Sequence, residues 1–512
     1  MNKSRTLYVG KNIMVSLVCQ VINLLLSFIA RYFFVRTLGI TYLGVNGLFT
    51  NILTILSFAE LGIGNAIIFH LYRPIAEGNI ERIKSLLKLY NNTYKIIFII
   101  VLMAGLIIMP FLQFIVDINV DIKESIYLIY LLFLSNTAIS YLFSYKKSLL
   151  LAYQKNYINL IIGQIIHIFQ VICQILVLLF SRNFIAFILI QITGTFLENI
   201  VCSVVTNKLY PYVLDPCIAL SKEERKEIFI NVKDLSYYKF GSVILNGTDN
   251  IIISAMLDIE SVGLVSNYVL LNNACSSFLG AIMNSFVASV GNFNVSSSSS
   301  DKYSIFRKML YICFFIYGYA SVGLLLLSNK LIPLWLGEEY LLDNVTQVAL
   351  IAGFLVQGVH TVLMTFRTTL GYFKRGKYSP LISAIINIVL SILFCYFWGL
   401  PGIFIATPIA RILSIGITDA HLIFSEEFKV KSFVYFLICV FYVLVIVASY
   451  FASFFAIKLV TFGGWGEFIL DIFIVSFVYI IVFVLCTFWR KEFKGLVKYL
   501  NYIKNSLRGS KN

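Results

Sequence analysis

The sequence predicts an all-α polytopic membrane protein of about fourteen transmembrane helices, and three observations point there. Apolar stretches of ~20 residues, enough to bridge a hydrocarbon core, recur along almost the whole chain. Only 13% of the 512 residues are charged, about half the usual share of a soluble domain. Lys and Arg gather on alternate connections: with the N-terminus inside, 33 of the 40 fall on the inward side. That positive-inside bias sets both termini in the cytoplasm. The abundance of Ile, Phe, Asn, Lys and Tyr is that of an AT-rich bacterial genome, so the expected location is a bacterial cell membrane. The formal charge of +15 is thus a topology signal facing anionic lipid, above all in the tail from Arg490 to Lys511, and no nucleic-acid partner is expected.

Taken in order, span 1 is expected at 12–35, with Ser16, Gln20, Asn23, Ser27 and Arg31 on one side. Span 2, at 43–70, lines up Asn46, Thr50, Ser57, Glu60 and Gly64. The segment 74–90 has a helical apolar pattern (Ile75, Ile83, Leu86, Leu87, Tyr90) and is expected to lie along the inner interface. Spans 3 and 4 follow at 94–116 and 123–145. Span 5, at 157–180, presents Gln164, His167, Gln170 and Gln174; span 6, at 184–206, presents Gln191, Thr195 and Glu198. The polar stretch 207–236 is the longest, and Ser221 through Glu224 reads as a capped helix start within it. Span 7, at 237–257, aligns Ser242, Asn246 and Asp249, and span 8, at 262–292, aligns Asn273, Ser277, Gly280 and Asn284. Ser296–Ser300 is read as a flexible loop. Spans 9 to 11 are expected at 309–332, 344–366 and 379–398, and span 12, at 403–424, offers Thr407, Arg411, Ser414 and Thr418. Spans 13 and 14, at 433–457 and 468–489, have almost no polar side chain apart from Asp471 and read as lipid-facing all round.

Two short matches reveal a repeat. Leu38-Gly39-Ile40 with Gly44 compares with Leu257-Asp258-Ile259 with Gly263, at an offset of 219. Lys147–Tyr157 compares with Arg367–Tyr378, at an offset of 220 to 221. The offset spans six helices, an even number, so the two halves run in the same orientation. The organisation is therefore an N-terminal lobe at 1–206, a cytoplasmic linker at 207–236, a C-terminal lobe at 237–424, and two peripheral helices with the basic tail at 425–512.

Function has to lie among the helices, because no loop is long enough to fold into a catalytic domain; no enzymatic activity is expected. No GxxxxGK[ST] phosphate loop is present, and neither cofactor nor metal is expected. Single polar residues in spans serve as helix–helix glue. The long stripes in spans 1, 2, 7 and 8 are better read as the walls of a wet cavity, since polar faces avoid lipid. Intramembrane charges each cost on the order of 3 kcal/mol. Arg31 and Arg411 read as an anion site, and Asp249, Glu60 and Glu198 as titratable coupling groups, the competing reading being a structural ion pair between the halves. Lys146, Lys147 and Arg367 satisfy the positive-inside rule, and their matched positions at an inner mouth also suit capture of a phosphorylated head group.

From Arg36-Thr37-Leu38-Gly39, through Tyr42-Leu43-Gly44, to Glu60-Leu61-Gly62-Ile63-Gly64, the chain resembles Wzx-type polysaccharide flippases of the MOP exporter superfamily. The turn Tyr153-Gln154-Lys155-Asn156-Tyr157 and its echo at Phe373-Lys374-Arg375 fit too. The resemblance implies two six-helix lobes forming a V. It implies translocation of undecaprenyl-diphosphate-linked oligosaccharide repeat units, by alternating access coupled to an ion gradient (H+ or Na+), feeding capsule or another surface polysaccharide beside a polymerase machinery. Arg31 takes the diphosphate-binding role by its match to the first-helix arginine of lipid II flippases, joined at depth only by Arg411. The sugar would then be gripped by amides, with Gln20, Asn23, Asn46, Asn246 and Asn273 as candidates. The alternative is a multidrug–cation antiporter of the MATE kind, which shares the fold.

Overall fold

A computed structural model describes residues 2–498, apart from 61–62, 117–121, 143, 217, 219, 227, 229–240, 242, 246, 297, 373–374 and 461. Contacts divide the chain into two compact units, Met1–Gly263 and Leu264–Asn512. Among the described residues ten helices are long and apolar enough to cross a membrane, or eleven if one bent pair counts as a span. The protein is thus all-helical and polytopic.

In the first unit the helices are α1 (Asn2–Leu38), α2 (Ile40–Leu56), α3 (Ile63–Glu77), α4 (Ile80–Ile108), α5 (Ile126–Tyr141), α6 (Ser144–Ala152), α7 (Asn156–Ser181), α8 (Phe184–Leu209) and α9 (Asp249–Met256). Helix α10 (Ile259–Ser296) starts here and continues into the second unit. The expected span 43–70 is not one helix: α2 stops at Leu56, and a 3-10 turn at Ser57–Glu60 separates it from α3. The expected interfacial helix over 74–90 is also absent. Gly78, with φ +69°, turns the chain, and Asn79 caps α4 by accepting the backbone N–H of Arg82 at 2.9 Å. The apolar pattern there is a core face instead, with Ile83, Leu86, Leu87 and Tyr90 all buried. Helices α5 and α6 form the bent pair, at 42° to each other. In span 7, residues 237–240, 242 and 246 lie outside the described residues and its C-terminal part is α9; α10 is long enough to cross but is not among the ten.

The core of this unit is aromatic. Phe49 meets Tyr130 and Phe133 edge-on, at 5.4 and 6.0 Å between centroids, and Phe184 meets Tyr42 at 5.1 Å. Tyr130 is fully buried, and its hydroxyl donates to the Gly105 carbonyl at 3.0 Å. A second close approach joins the two copies of the repeat motif. A Cβ on Gly44 would lie 1.9 Å from the Ile259 carbonyl oxygen, and a Cβ on Gly263 would lie 2.5 Å from that of Ile40. The contact is reciprocal, glycine of each copy on isoleucine of the other. Thr41 adds a hydrogen bond to Glu260 at 3.3 Å, again between residues 219 apart.

In the second unit α11 (Ser299–Trp335), α12 (Asn344–Thr369), α13 (Ser379–Trp398), α14 (Leu400–Glu427), α15 (Phe433–Ile457) and α16 (Gly464–Thr487) follow α10. Of the serine run, Ser296 ends α10 and Ser298 caps α11 by accepting the Asp301 backbone N–H, with Ser299 and Ser300 already helical, so the described part is not an extended loop. Helix α14 widens into π turns at Ile412–Gly416 and His421–Glu427. Helices α15 and α16 are not lipid-facing all round, as their composition implied. Tyr442, Tyr479 and Phe483 are buried: Tyr442 stacks on Phe314 of α11, Phe483 meets Phe315 and Tyr311 edge-on, and Tyr479 is tilted against Phe315. Ion pairs tie α16 and the segment after it to both ends of α11. Lys330 binds Glu467 at 2.8 Å and also Asp471, while Arg307 binds Glu492. Aromatic side chains suit lipid and protein alike, so composition alone could not separate the two faces.

Candidate functional site

The polar stripe of α1 remains exposed in the folded chain. Ser16, Asn23 and Ser27 are exposed, Gln20 and Arg31 half-buried, and Cys19 is the one fully buried residue between Gly10 and Phe33. Asn23 meets His167 of α7, Oδ1 to Nδ1, at 3.0 Å. The stripe on α7 divides: His167 and Gln170 are half-buried, whereas Gln164 and Gln174 are buried, with Gln174 donating to the Phe187 carbonyl at 3.2 Å. Gln174 is thus glue between α7 and α8. On α2, Asn46 is half-buried and Thr50 exposed. On α10, Asn273, Ser277 and Asn284 are exposed, and nothing lies within 4 Å of a Cβ placed on Gly280. The hydroxyls of Ser27 and Thr50 donate to the Asn23 and Asn46 carbonyls of their own helices, both at 2.7 Å, whereas exposed amides on a membrane helix favour water beside them, because hydrocarbon offers no partner.

The coupling candidates occupy different settings. Glu60 ends the 3-10 turn after α2 and accepts the Tyr94 hydroxyl at 3.1 Å. Asp249 opens α9, half-buried, and the next residue, Asn250, donates to the Gly47 carbonyl at 3.5 Å. Glu198 on α8 is engaged by Lys147 of α6, Nζ to Oε1 at 2.6 Å. Lys146 points elsewhere, donating to Ser203 at 2.7 Å, and is buried. Asn246 lies outside the described residues.

The second unit holds a cluster that only Arg367 announced in the sequence. Arg367 of α12 is 2% exposed and binds Asp419 of α14 at 2.6 Å, and Asp419 is fully buried. The other Asp419 oxygen meets His360 Nε2 at 3.0 Å. Arg367 also donates to the carbonyls of Arg375, at 2.7 Å, and Tyr372, at 3.3 Å. Gly376, at φ +64°, brings that turn to within 3.5 Å of the guanidinium, measured from a Cβ placed on it. Arg411 is buried one helical turn or more away on α14, at the edge of the first π segment. Asp419 and His360 were missed in the sequence, although the rule that singled out Asp249 applies equally to a carboxylate within an apolar run.

The two ion pairs are repeat mates. Lys147 and Arg367 are 220 residues apart, Glu198 and Asp419 are 221 apart, and each pair joins the helix preceding the repeated turn to the second helix beyond it.

No family profile matches the chain, and no curated protein matches it. Solved structures do. The inward-closed lipid II flippase MurJ superposes with a TM-score of 0.61 at 17% identity, covering 92% of this chain and 98% of its own. An inward-facing multidrug resistance MATE family transporter of the MOP superfamily superposes with the same TM-score at 12% identity, covering 78% and 94%. A MATE structure in complex with MaD3S gives 0.52 at 13% identity, covering 80% and 93%. At these identities the likeness establishes the fold alone: the chain shares the architecture of these transporter and flippase structures.

Proposed function

We propose that the chain is a flippase carrying undecaprenyl-diphosphate-linked oligosaccharide repeat units from the inner to the outer leaflet, for capsule or another surface polysaccharide, by alternating access driven by an ion gradient. The observation that carries the reading is the exposed amide and hydroxyl face of α1 and α10. A glycan head group cannot cross hydrocarbon unaided, since each unpaired hydroxyl costs several kcal/mol, on the order of 2–7. Amide-rich walls replace those hydrogen bonds. The near full-length likeness to a lipid II flippase supports the same class of cargo.

In this reading Arg31 and Arg411 hold the diphosphate, and Gln20, Asn23, Asn46, Asn246 and Asn273 hold sugar. Lys147 leads head-group capture, because it is more accessible than Lys146 or Arg367. A diphosphate competing for Lys147 would release Glu198 to take a proton or cation, which links capture to coupling; Asp249 and Glu60 are the further coupling groups. The test is conditional depletion with mass spectrometry of lipid-linked intermediates, the leaflet assigned by a membrane-impermeant label. A complete repeat unit should accumulate on the inner leaflet, and normal surface polysaccharide without accumulation would overturn the proposal. Arg31→Ala and Asp249→Asn should each stop export while the protein still inserts; full complementation by both would sink the site assignment.

The MATE-like alternative, export of cationic small molecules, draws on the equal TM-score of the multidrug transporter. Ethidium efflux from cells expressing the chain, together with normal polysaccharide on depletion, would favour it.

A further inference from the structure

Four histidines occur in the chain, and one sits against a fully buried carboxylate. His360 is 8% exposed on α12, and Asp419, beneath it on α14, is shared with Arg367. Position i+7 places Arg367 on the same face of α12 as His360. On α14 the other ionisable groups are Arg411 and His421, together with Glu427 and Glu426, which bind Tyr372 and Arg375 of the turn. From α11 the ionisable groups nearby are Cys313, which donates to the Gly358 carbonyl at 3.4 Å, and Tyr317, packed on Gly358. From α15 they are Tyr435 and Cys439. All four are neutral in the physiological range. Helix α13 carries no Asp, Glu, Lys or Arg.

We propose that His360 is a proton-binding site of the second unit, linked through Asp419 to the Arg367 clamp on the turn after α12. With the imidazole neutral, the Asp419 carboxylate balances one cation, Arg367. Uptake of one proton gives an imidazolium, Nε2–H still donating to Asp419 Oδ2, and a cluster of net charge +1. One carboxylate must then serve two cations in a medium of low dielectric. The hold on Arg367 weakens, and with it the clamp on the carbonyls of Tyr372 and Arg375. The sign follows: acid loosens the turn and alkali tightens it. The first unit is an internal comparison, because 220 residues before His360 the chain has Ser140, which does not titrate. Only one copy of the duplicated pair therefore carries an imidazole at this position.

The role of this proton as a coupling ion rests on the transporter reading; the binding itself does not. The experiment is hydrogen–deuterium exchange on the full chain in lipid nanodiscs at pH about 5.5 and about 8, corrected for intrinsic chemistry, following the turn that carries Tyr372 and Arg375. Exchange there should be about tenfold faster at the acid pH in the wild type, and independent of pH in His360→Gln, which keeps an N–H donor for Asp419. His360→Asn is the second variant should the first fail to insert. A wild type without pH response overturns the proposal by itself, and so does a variant that keeps the wild-type response. Polysaccharide export plays no part in the readout, so failure here and failure of the flippase reading are separable.

Discussion

At the scale of residues, the two repeat-related ion pairs differ in burial, and burial sets what each is worth. Lys147 and Glu198 keep 28% and 35% of their side-chain surface, whereas Arg367 and Asp419 keep 3% and 0%. A solvated pair is worth about 0.2–1 kcal/mol. Removing one partner of a buried pair leaves an uncompensated charge and costs about 3–5 kcal/mol. Arg367→Ala should therefore lower the thermal midpoint of the detergent-solubilised protein far more than Lys147→Ala, and Asp419→Asn should fall near Arg367→Ala. Equal losses for Lys147→Ala and Arg367→Ala would show that burial does not rank these pairs. Sequence could flag Lys147, Arg367 and Glu198, since charge within or beside an apolar run is conspicuous. Their partners were another matter: Lys147 with Glu198 spans 51 residues, and Arg367 with Asp419 spans 52, distances that only the fold closes.

At the scale of elements, sequence located helices well where each end carries a polar residue or a glycine turn. The spans expected at 379–398 and 433–457 are helices over those same residues. It failed where a helix breaks inside an apolar run. Hydropathy over 43–70 does not mark the 3-10 turn at Ser57–Glu60 as a break, because Ser57 and Glu60 also fit the polar stripe of one continuous helix and the change lies in backbone hydrogen bonding. The π turns flanking Asp419 in α14 were hidden for the same reason. The short repeat motif, by contrast, encodes a real contact, the reciprocal packing of Gly44 and Gly263 on Ile259 and Ile40. Both neighbours are backbone atoms, so neither can swing away. Gly44→Ala and Gly263→Ala should each destabilise the solubilised protein by about 1–3 kcal/mol through overpacking. Gly280→Ala is the control, with open space around its Cβ and a gain of roughly 0.5–1 kcal/mol in helix propensity. Three similar thermal midpoints would show that the close approach carries no weight.

At the scale of the whole molecule, charge placement and exposed polarity make one joint prediction about water. If 33 of the 40 basic residues mark the inward side, then Arg182, in the turn after α7, and Lys458, ending α15, lie outside, and Ser221 lies inside. Single cysteines at these positions in a cysteine-depleted chain should separate cleanly. Arg182→Cys and Lys458→Cys should react with a membrane-impermeant maleimide on intact cells, and Ser221→Cys only after permeabilisation. The reverse pattern would invert the topology and move every assigned mouth to the other face. The same reagent reads the stripes once both sides are open, because a thiol must ionise to react and ionises only in water. Ser27→Cys and Asn273→Cys should label, whereas Leu25→Cys on α1 and Ile385→Cys on α13, both more than half exposed, should stay silent in lipid. Leu25 and Ser27 lie two residues apart, about 200° around one helix, so a difference between them cannot come from depth. Equal labelling of the two would mean that α1 has no dry side, and equal silence that its polar stripe is packed against protein or lipid; either result removes the wet face on which the flippase reading stands.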